Sequence, residues 1–138
     1  MTIYVKEDYL KPRHHPEDAG LDLRAATELT LNPGDIAVVP TGVSWEISNG
    51  HFAYITGRSS MNSKGIIVHQ GVVDAGYRGE WKVVLQNLSK TPYEIREGDK
   101  IAQAVILAEH THLIQIKQGE ADDSTSFRGS KGFGSTGR

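Results

Sequence analysis

The sequence predicts an all-β fold, a barrel or sandwich of jelly-roll type. Three observations predict it. Short strand-like runs recur along most of the chain, Gly- and Pro-containing turns separate them, and helical periodicity is confined to one short candidate at "SSMNSKG". The 138 residues suit one domain with a real core, and no repeat of 20–50 residues is present.

Taken in order, "MTIYVKEDYL" has no long apolar run and reads as neither a secretion signal nor a membrane anchor. The expected setting is therefore the cytoplasm, as a soluble protein. "AGLDLRA" is strand-like, with Leu21 and Leu23 on one face and Asp22 on the other. "ELTLNPGDIAVVPTGVSWEI" gives two extended stretches around the turn "NPGD", and "HFAYITG" follows the turn signal "SNG". "GIIVHQGVVD" and "EWKVVLQN" flank "AGYRG", which predicts a hairpin with a longer loop. "YEI", "EGD" and "KIAQAVILAE" repeat the strand–turn–strand pattern, and "HLIQIK" is expected to add one more strand. Beyond "QGEADDSTS" the apolar pattern stops. Residues 1–120 are thus expected to form the β domain and residues 121–138 a flexible C-terminal arm.

A formal net charge of -2 supplies no basic field for nucleic acid. The absence of cysteine removes disulfides and thiolate metal sites. His110 and His112 share a face if extended but lack a third ligand, and His14 and His15 read as loop residues. No nucleophile elbow is present.

The informative positions are polar stretches that interrupt the strands. "TGRSSMNSKG" offers Arg58 with Ser59 and Ser60 at the start of the short helix; Ser59 either caps that helix or faces an anion. In "GVVDAGYRGEW", Asp74 ends an apolar run where a strand enters a loop, and Tyr77 follows three residues on. Asp74 is either a turn residue or a carboxylate that polarises a water for attack on phosphorus. Asp22 is either a surface charge or an acid beside a hydrated metal. "EGDKIAQ" puts Asp99 in a turn and Gln103 on the next strand.

The terminal "SFRGSKGFGSTGR" is not a Walker loop, since "GSTGR" lacks the lysine and the chain ends before a helix. It is either a solvated linker end or an arm. As an arm, Phe133 would stack on a base, and Arg128 would clamp phosphate with help from glycine amides, Ser135 and Thr136.

In order along the chain, "AGLDLRA", "GRSSM", "GVVDAGYRGEW", "EGDKIAQ" and "RGSKGFGSTG" resemble the five motifs of the trimeric deoxyuridine triphosphatase (dUTPase) family. The resemblance spans residues 19 to 137. It implies a jelly-roll subunit of a homotrimer whose active sites are shared between chains. The implied reaction is hydrolysis of dUTP to dUMP and pyrophosphate, which keeps uracil out of DNA and supplies dUMP for thymidylate synthesis. Asp74 would activate the water that attacks the α-phosphorus, and Tyr77 would pack on the deoxyribose and exclude a 2′-hydroxyl. Main-chain groups of Gln70, Gly71, Val72 and Val73, with Lys82 across the hairpin, would read uracil. Arg58, Ser59, Ser60 and Gln103 would contact phosphates or order the site. Arg128, Gly134, Ser135 and Thr136 would hold the terminal phosphate, and Phe133 would cover the base. Mg²⁺ is the implied cofactor, met by Asp22 through water, because magnesium keeps water ligands and binds chiefly through substrate phosphates. No nucleic-acid or membrane partner is implied; a regulatory protein partner is, if the chain is viral.

Three departures from the family pattern stand out. Gly76 occupies a position usually acidic, Ser60 one usually glycine, and "IIVHQG" is slightly short. Two rival readings follow. In the related dCTP deaminases, the position aligned with Val84 is the proton-shuttling glutamate, which valine cannot replace; a pyrophosphatase acting on dCTP remains an alternative. The other rival is a nucleotide-gated regulatory module on the same scaffold.

Overall fold

The computed structural model describes residues 1–137. Eleven strands dominate these residues: β1 (Thr2–Val5), β2 (Leu21–Arg24), β3 (Leu29–Leu31), β4 (Ile36–Pro40), β5 (Val43–Glu46), β6 (His51–Thr56), β7 (Ile66–His69), β8 (Gly71–Asp74), β9 (Lys82–Asn87), β10 (Tyr93–Ile95) and β11 (Lys100–Ala108). The sole α-helix among the described residues, α1 (Ser59–Asn62), is one turn long. No helix among them is long and apolar enough to cross a membrane. The expected all-β class holds.

The strands form four antiparallel groups: β2-β11-β6-β8, β4-β9-β7, and the pairs β1-β5 and β3-β10. One core joins them. Leu23, Ala53, Ile55 and Ala104 of the four-stranded sheet pack with Val39, Ile66, Val83 and Leu85 of the three-stranded one, and all eight are almost fully buried. Trp45 and Trp81 meet within it, ring centroids 4.9 Å apart. The alternate residues of the four-stranded sheet point away from the core; Asp22, Gln103, Thr56 and Asp74 are polar, but the other positions of β11, β6 and β8 on this face are apolar. Val105, Tyr54 and Val72 lie in one row across β11, β6 and β8, and Leu107 and Phe52 lie in the next. Val72 and Leu107 are exposed in the single chain.

Three sequence expectations are corrected. First, the run "GIIVHQGVVD" is two strands, and no β8–β9 hairpin forms. β8 pairs with β6, whereas β9 pairs with β7 and β4. The burial phase explains the split: Ile66 and Val68 point inward, but after Gln70 the inward positions become Gly71 and Val73. That one-residue slip turns the chain's other face to the core and sends it to the other sheet. Second, "ELTLNPGDIAVVPTGVSWEI" holds three strands rather than two extended stretches, because the run after the "NPGD" turn breaks at Thr41 and Gly42 into β4 and β5. Third, "HLIQIK" forms no strand. Thr111–Leu113 make a 3-10 turn, and Leu113, Ile114 and Ile116 stand exposed. Among the described residues no strand pairs with this segment, so its apolar side chains are exposed in the single chain. From residue 111 to 137 every described residue is exposed.

Candidate active site

Two clefts collect most of the sequence-predicted residues, and each uses one edge of the four-stranded sheet. The first, about 320 Å³, is lined by Gly71, Val72, Val73 and Asp74 of β8, by Tyr77 in the following loop, and by Lys82 at the start of β9. β8 pairs only with β6, so its outer edge keeps main-chain donors and acceptors free within the chain. Lys82 reaches this cleft by a different route from the hairpin expected. Main-chain bonds from Trp81 N to Val43 O (2.7 Å) and from Thr41 N to Trp81 O (3.2 Å) hold the start of β9 against the β4–β5 turn, facing β8. Gln70 is exposed at the break between β7 and β8 and is not among the residues lining the cleft.

Asp74 closes β8 and is exposed at the rim. None of the four ion pairs among the described residues uses it. Its main-chain oxygen accepts from Tyr77 N at 3.1 Å, which turns the chain sharply and lays Tyr77 beside the carboxylate's strand. The Tyr77 hydroxyl donates to Glu80 O at 3.1 Å. The ring lies so close over Gly79 that a Cβ there would sit 2.4 Å from the hydroxyl oxygen. Glycine is therefore required at 79 for this ring pose. At Gly76 nothing lies within 4 Å of a built Cβ, so the missing acid leaves open space rather than a filled contact.

The second cleft, about 280 Å³, is lined by Asp18, Asp22, Arg58, Ser59, Ser60 and Gln103, with Gly20 beside them. Asp22 accepts from Arg58 Nε at 3.0 Å and from Lys100 Nζ at 2.9 Å, one cation on each oxygen. The pattern of β2 put Asp22 on the face opposite Leu21 and Leu23, and the register sets it beside Gln103. Gln103 Nε2 donates to Gly57 O at 2.9 Å. Gly20 makes room for that amide, since a Cβ there would meet Gln103 Oε1 at 2.7 Å. Ser59 does not cap the helix: Arg58 holds the cap position without a side-chain cap bond, and Ser59 is the first helical residue. Its hydroxyl is one of the cleft-lining groups instead.

The two clefts are far apart within one chain. Asp22, Gln103 and Thr56 share one row across β2, β11 and β6, whereas Asp74 stands opposite Phe52, four residues down β6. At ~3.3 Å per residue and ~4.8 Å between strands, Asp74 is roughly 16 Å from Gln103 and roughly 19 Å from Asp22. The predicted arm residues join neither cleft. Arg128 Nε donates to Lys131 O at 2.8 Å, Ser135 N to Gly132 O at 2.9 Å, and Phe133 is fully exposed. Gly134, with φ of +73°, and Ser135 and Thr136 lie in turns of the same segment. Arg138 lies outside the described residues.

Sequence reasoning passed over Glu80 and Lys100, although both fall inside quoted motifs. Glu80 lies at the rim of the first cleft, and its Oε2 accepts from Lys6 Nζ at 3.0 Å while Oε1 accepts from Gly42 N at 2.8 Å. The Lys6 hydrogen bond, aided by the Gly42 N–H, holds this carboxyl below the usual carboxylate range against the opposing effect of burial. Neither partner is near Glu80 in sequence, so no local pattern signals the contact. Val84, in contrast, stands opposite Val38 and His69 in the three-stranded sheet and lines neither cleft.

Comparison with known proteins gives consistent results. A family model described as dUTPase matches residues 7–137. The deoxyuridine 5'-triphosphate nucleotidohydrolase of Leifsonia xyli subsp. xyli is 42% identical over 127 residues, which cover 89% of this chain and 82% of that protein. The dUTPase of Staphylococcus bacteriophage 80alpha, solved with dUPNHPP, superposes with a TM-score of 0.88 at 30% identity, covering 99% of this chain and 98% of that one. A mutant dUTPase from phage phi11 of S. aureus, solved to show the coordination of a structural Mg(II) ion, superposes with a TM-score of 0.80 at 29% identity, covering 89% and 98%. The chain also matches Pol polyproteins of equine infectious anemia virus at 37% identity and spans about a tenth of their length.

Proposed function

The chain belongs to the dUTPase family, and on that premise we propose that it is a dUTP diphosphatase, hydrolysing dUTP to dUMP and pyrophosphate. Such an enzyme keeps uracil out of DNA and supplies dUMP for thymidylate synthesis. The observation that carries the reading is the division of the candidate site. One cleft joins an edge strand, an aromatic wall and an unpaired acid, while the other gathers Arg58, hydroxyls and an amide.

Each cleft suits one part of the substrate. The free edge of β8 offers the main-chain pattern that a pyrimidine edge needs, with Lys82 opposite. Tyr77 fits as the wall on which deoxyribose packs, leaving no room for a 2′-hydroxyl. Arg58, Ser59, Ser60 and Gln103 suit phosphate oxygens. In the proposed step Asp74 accepts a proton from a water whose oxygen bonds to the α-phosphorus. The bond from that phosphorus to the α–β bridging oxygen breaks, and pyrophosphate leaves with the electron pair. The alignment of water, acid and phosphate contributes more to such a step than covalent chemistry does.

The clefts lie too far apart to act on one phosphorus within a chain, which favours sites shared between copies. The outward apolar rows of the four-stranded sheet favour the same conclusion, because a sheet apolar on both faces is covered on both. Leu113, Ile114 and Ile116 are further apolar side chains exposed in the single chain. We therefore read the assembly as a homotrimer with the base cleft of one copy beside the phosphate cleft of another. The C-terminal segment, residues 121–138, is proposed as an arm that brings Arg128, Phe133, Gly134, Ser135 and Thr136 over the nucleotide of a neighbouring site. Closure of such an arm excludes water and aligns the phosphates.

The donor set fits Mg²⁺ carried in with the triphosphate. No group of three or more His, Asp or Glu that could hold a metal is present among the described residues, and both Asp22 oxygens already receive cations. Asp22, with Asp18 beside it, would hold the hydrated ion through water, and phosphate oxygens would supply the direct ligands. When bound, the ion neutralises phosphate charge.

The test is pyrophosphate release with Mg²⁺ from dUTP, dCTP, dTTP and UTP in parallel, with ammonia followed in the dCTP reaction. Release from dUTP alone is expected. No release from dUTP, with nucleotide still bound, would make the chain a nucleotide-gated module instead. Removing residues 127–138 should lower dUTP turnover without dissolving the assembly; full turnover by the shortened chain would refute the arm.

A further inference from the structure

We propose that Glu80 is a positioning residue that sets the Tyr77 wall, and through it the discrimination between deoxyribose and ribose; this rests on the dUTPase reading above. The hydroxyl of Tyr77 is held by the main-chain oxygen of Glu80 at 3.1 Å. That oxygen is only as fixed as residue 80 itself. The peptide that carries it is held by Trp81 N donating to Val43 O at 2.7 Å, and residue 80 is tied further by its side chain, whose two oxygens take Gly42 N at 2.8 Å and Lys6 Nζ at 3.0 Å. The carboxylate thus clamps the Tyr77 loop to the β4–β5 turn and to the residue that follows β1.

Each anchor point is itself constrained. Lys6 N donates to Gly42 O at 2.9 Å, so the end of β1 and the turn already move together. Gly42 has a φ of +66°, and a Cβ there would lie 2.4 Å from Leu10 Cδ1, with Leu10 buried. The turn is therefore seated on the core and gives Glu80 a rigid donor. The Glu80 side chain is 23% exposed, so the clamp is shielded on most sides. The ring is placed by its hydroxyl anchor, by the bond from Tyr77 N to Asp74 O, and by the space over Gly79 that it fills. A ring that rejects a 2′-hydroxyl by contact must hold its place to within a fraction of an ångström, because misplacement near 1 Å costs about 100-fold in productive geometry.

The experiment measures kcat/KM for dUTP and for UTP with Mg²⁺, on chains whose assembly state is checked by sizing. In Glu80→Ala both anchors are lost, and the dUTP-over-UTP ratio is expected to fall about tenfold, with KM for dUTP rising more than kcat falls. Glu80→Gln keeps an acceptor for Gly42 and should retain most of the ratio. Gly79→Ala leaves Glu80 intact but drives a methyl into the ring, and should reproduce the Glu80→Ala loss. If Glu80→Ala does not assemble, Gly79→Ala and a Lys6→Met chain, which loses one anchor and should lose part of the ratio, carry the test. An unchanged ratio in Glu80→Ala, or in both Gly79→Ala and Lys6→Met, would overturn the positioning role while the dUTPase reading stands. A native chain that does not turn over dUTP would overturn that reading, and this one with it.

Discussion

Two aspartates on the same outward face of one sheet meet opposite surroundings. Asp22 sits between Arg58 and Lys100, so its charge is spent holding two cations in place. Asp74 stands at the end of an edge strand outside any ion pair among the described residues. This difference fits the base role proposed for Asp74 and a charge-organising role proposed for Asp22. Asp74→Asn removes the acceptor at almost constant shape. It should lower turnover by about 10²–10⁴-fold while leaving the affinity for a non-hydrolysable dUTP analogue unchanged. Single-turnover pyrophosphate release beside calorimetric titration checks both halves, and normal turnover would remove Asp74 from the mechanism.

Among the elements, β9 is the strand on which the three-stranded sheet depends, and Asn87 at its end ties it to the rest. Asn87 is fully buried; its amide donates to Leu31 O and Thr91 O, both at 2.8 Å, and its oxygen accepts from Ser89 N at 2.9 Å and Ser89 Oγ at 2.7 Å. Asn87→Ala would leave all four partners without this bond, at a cost of about 3 kcal/mol. The thermal midpoint should drop by about 10 °C at fixed chain concentration, and an unchanged melting curve would show that water replaces the side chain. "LQNLSK" holds only one of its partners, Ser89; Leu31 comes from β3 and Thr91 from beyond the stretch, so the network is not legible there. The same limit ran through the whole fold. Alternation and turn residues made most strands legible, as with β2, whose Asp22 fell on the face expected, and β11, which carries Gln103 after its turn. Pairing was not legible, because the slip at Gln70 is a change of phase within one apolar run. The site followed suit: Asp74, Tyr77, Arg58 and Gln103 were readable as motif residues, but Glu80 was not, because Lys6 and Gly42 reach it from far along the chain.

At the scale of the molecule, the four-stranded sheet places the two clefts on opposite edges with an apolar ridge between them. If a working site takes its base cleft from one copy and its phosphate cleft from another, two defective chains should repair each other. Asp74→Asn and Arg58→Ala chains, each nearly inactive alone, should recover about one quarter of native activity when unfolded together and reassembled at equal amounts. No recovery in mixed assemblies would place both residues in sites built from one chain. The central strand of that same sheet has a further consequence for how the protein is made. β11 lies between β2 and β6 and joins them, yet it is the last strand to leave the ribosome. At ~5–20 residues per second, β2 waits roughly 4–16 s for its only partner. During that interval Leu23 and Ile55 have no finished sheet to cover, so apolar surface on the nascent chain stays open for seconds.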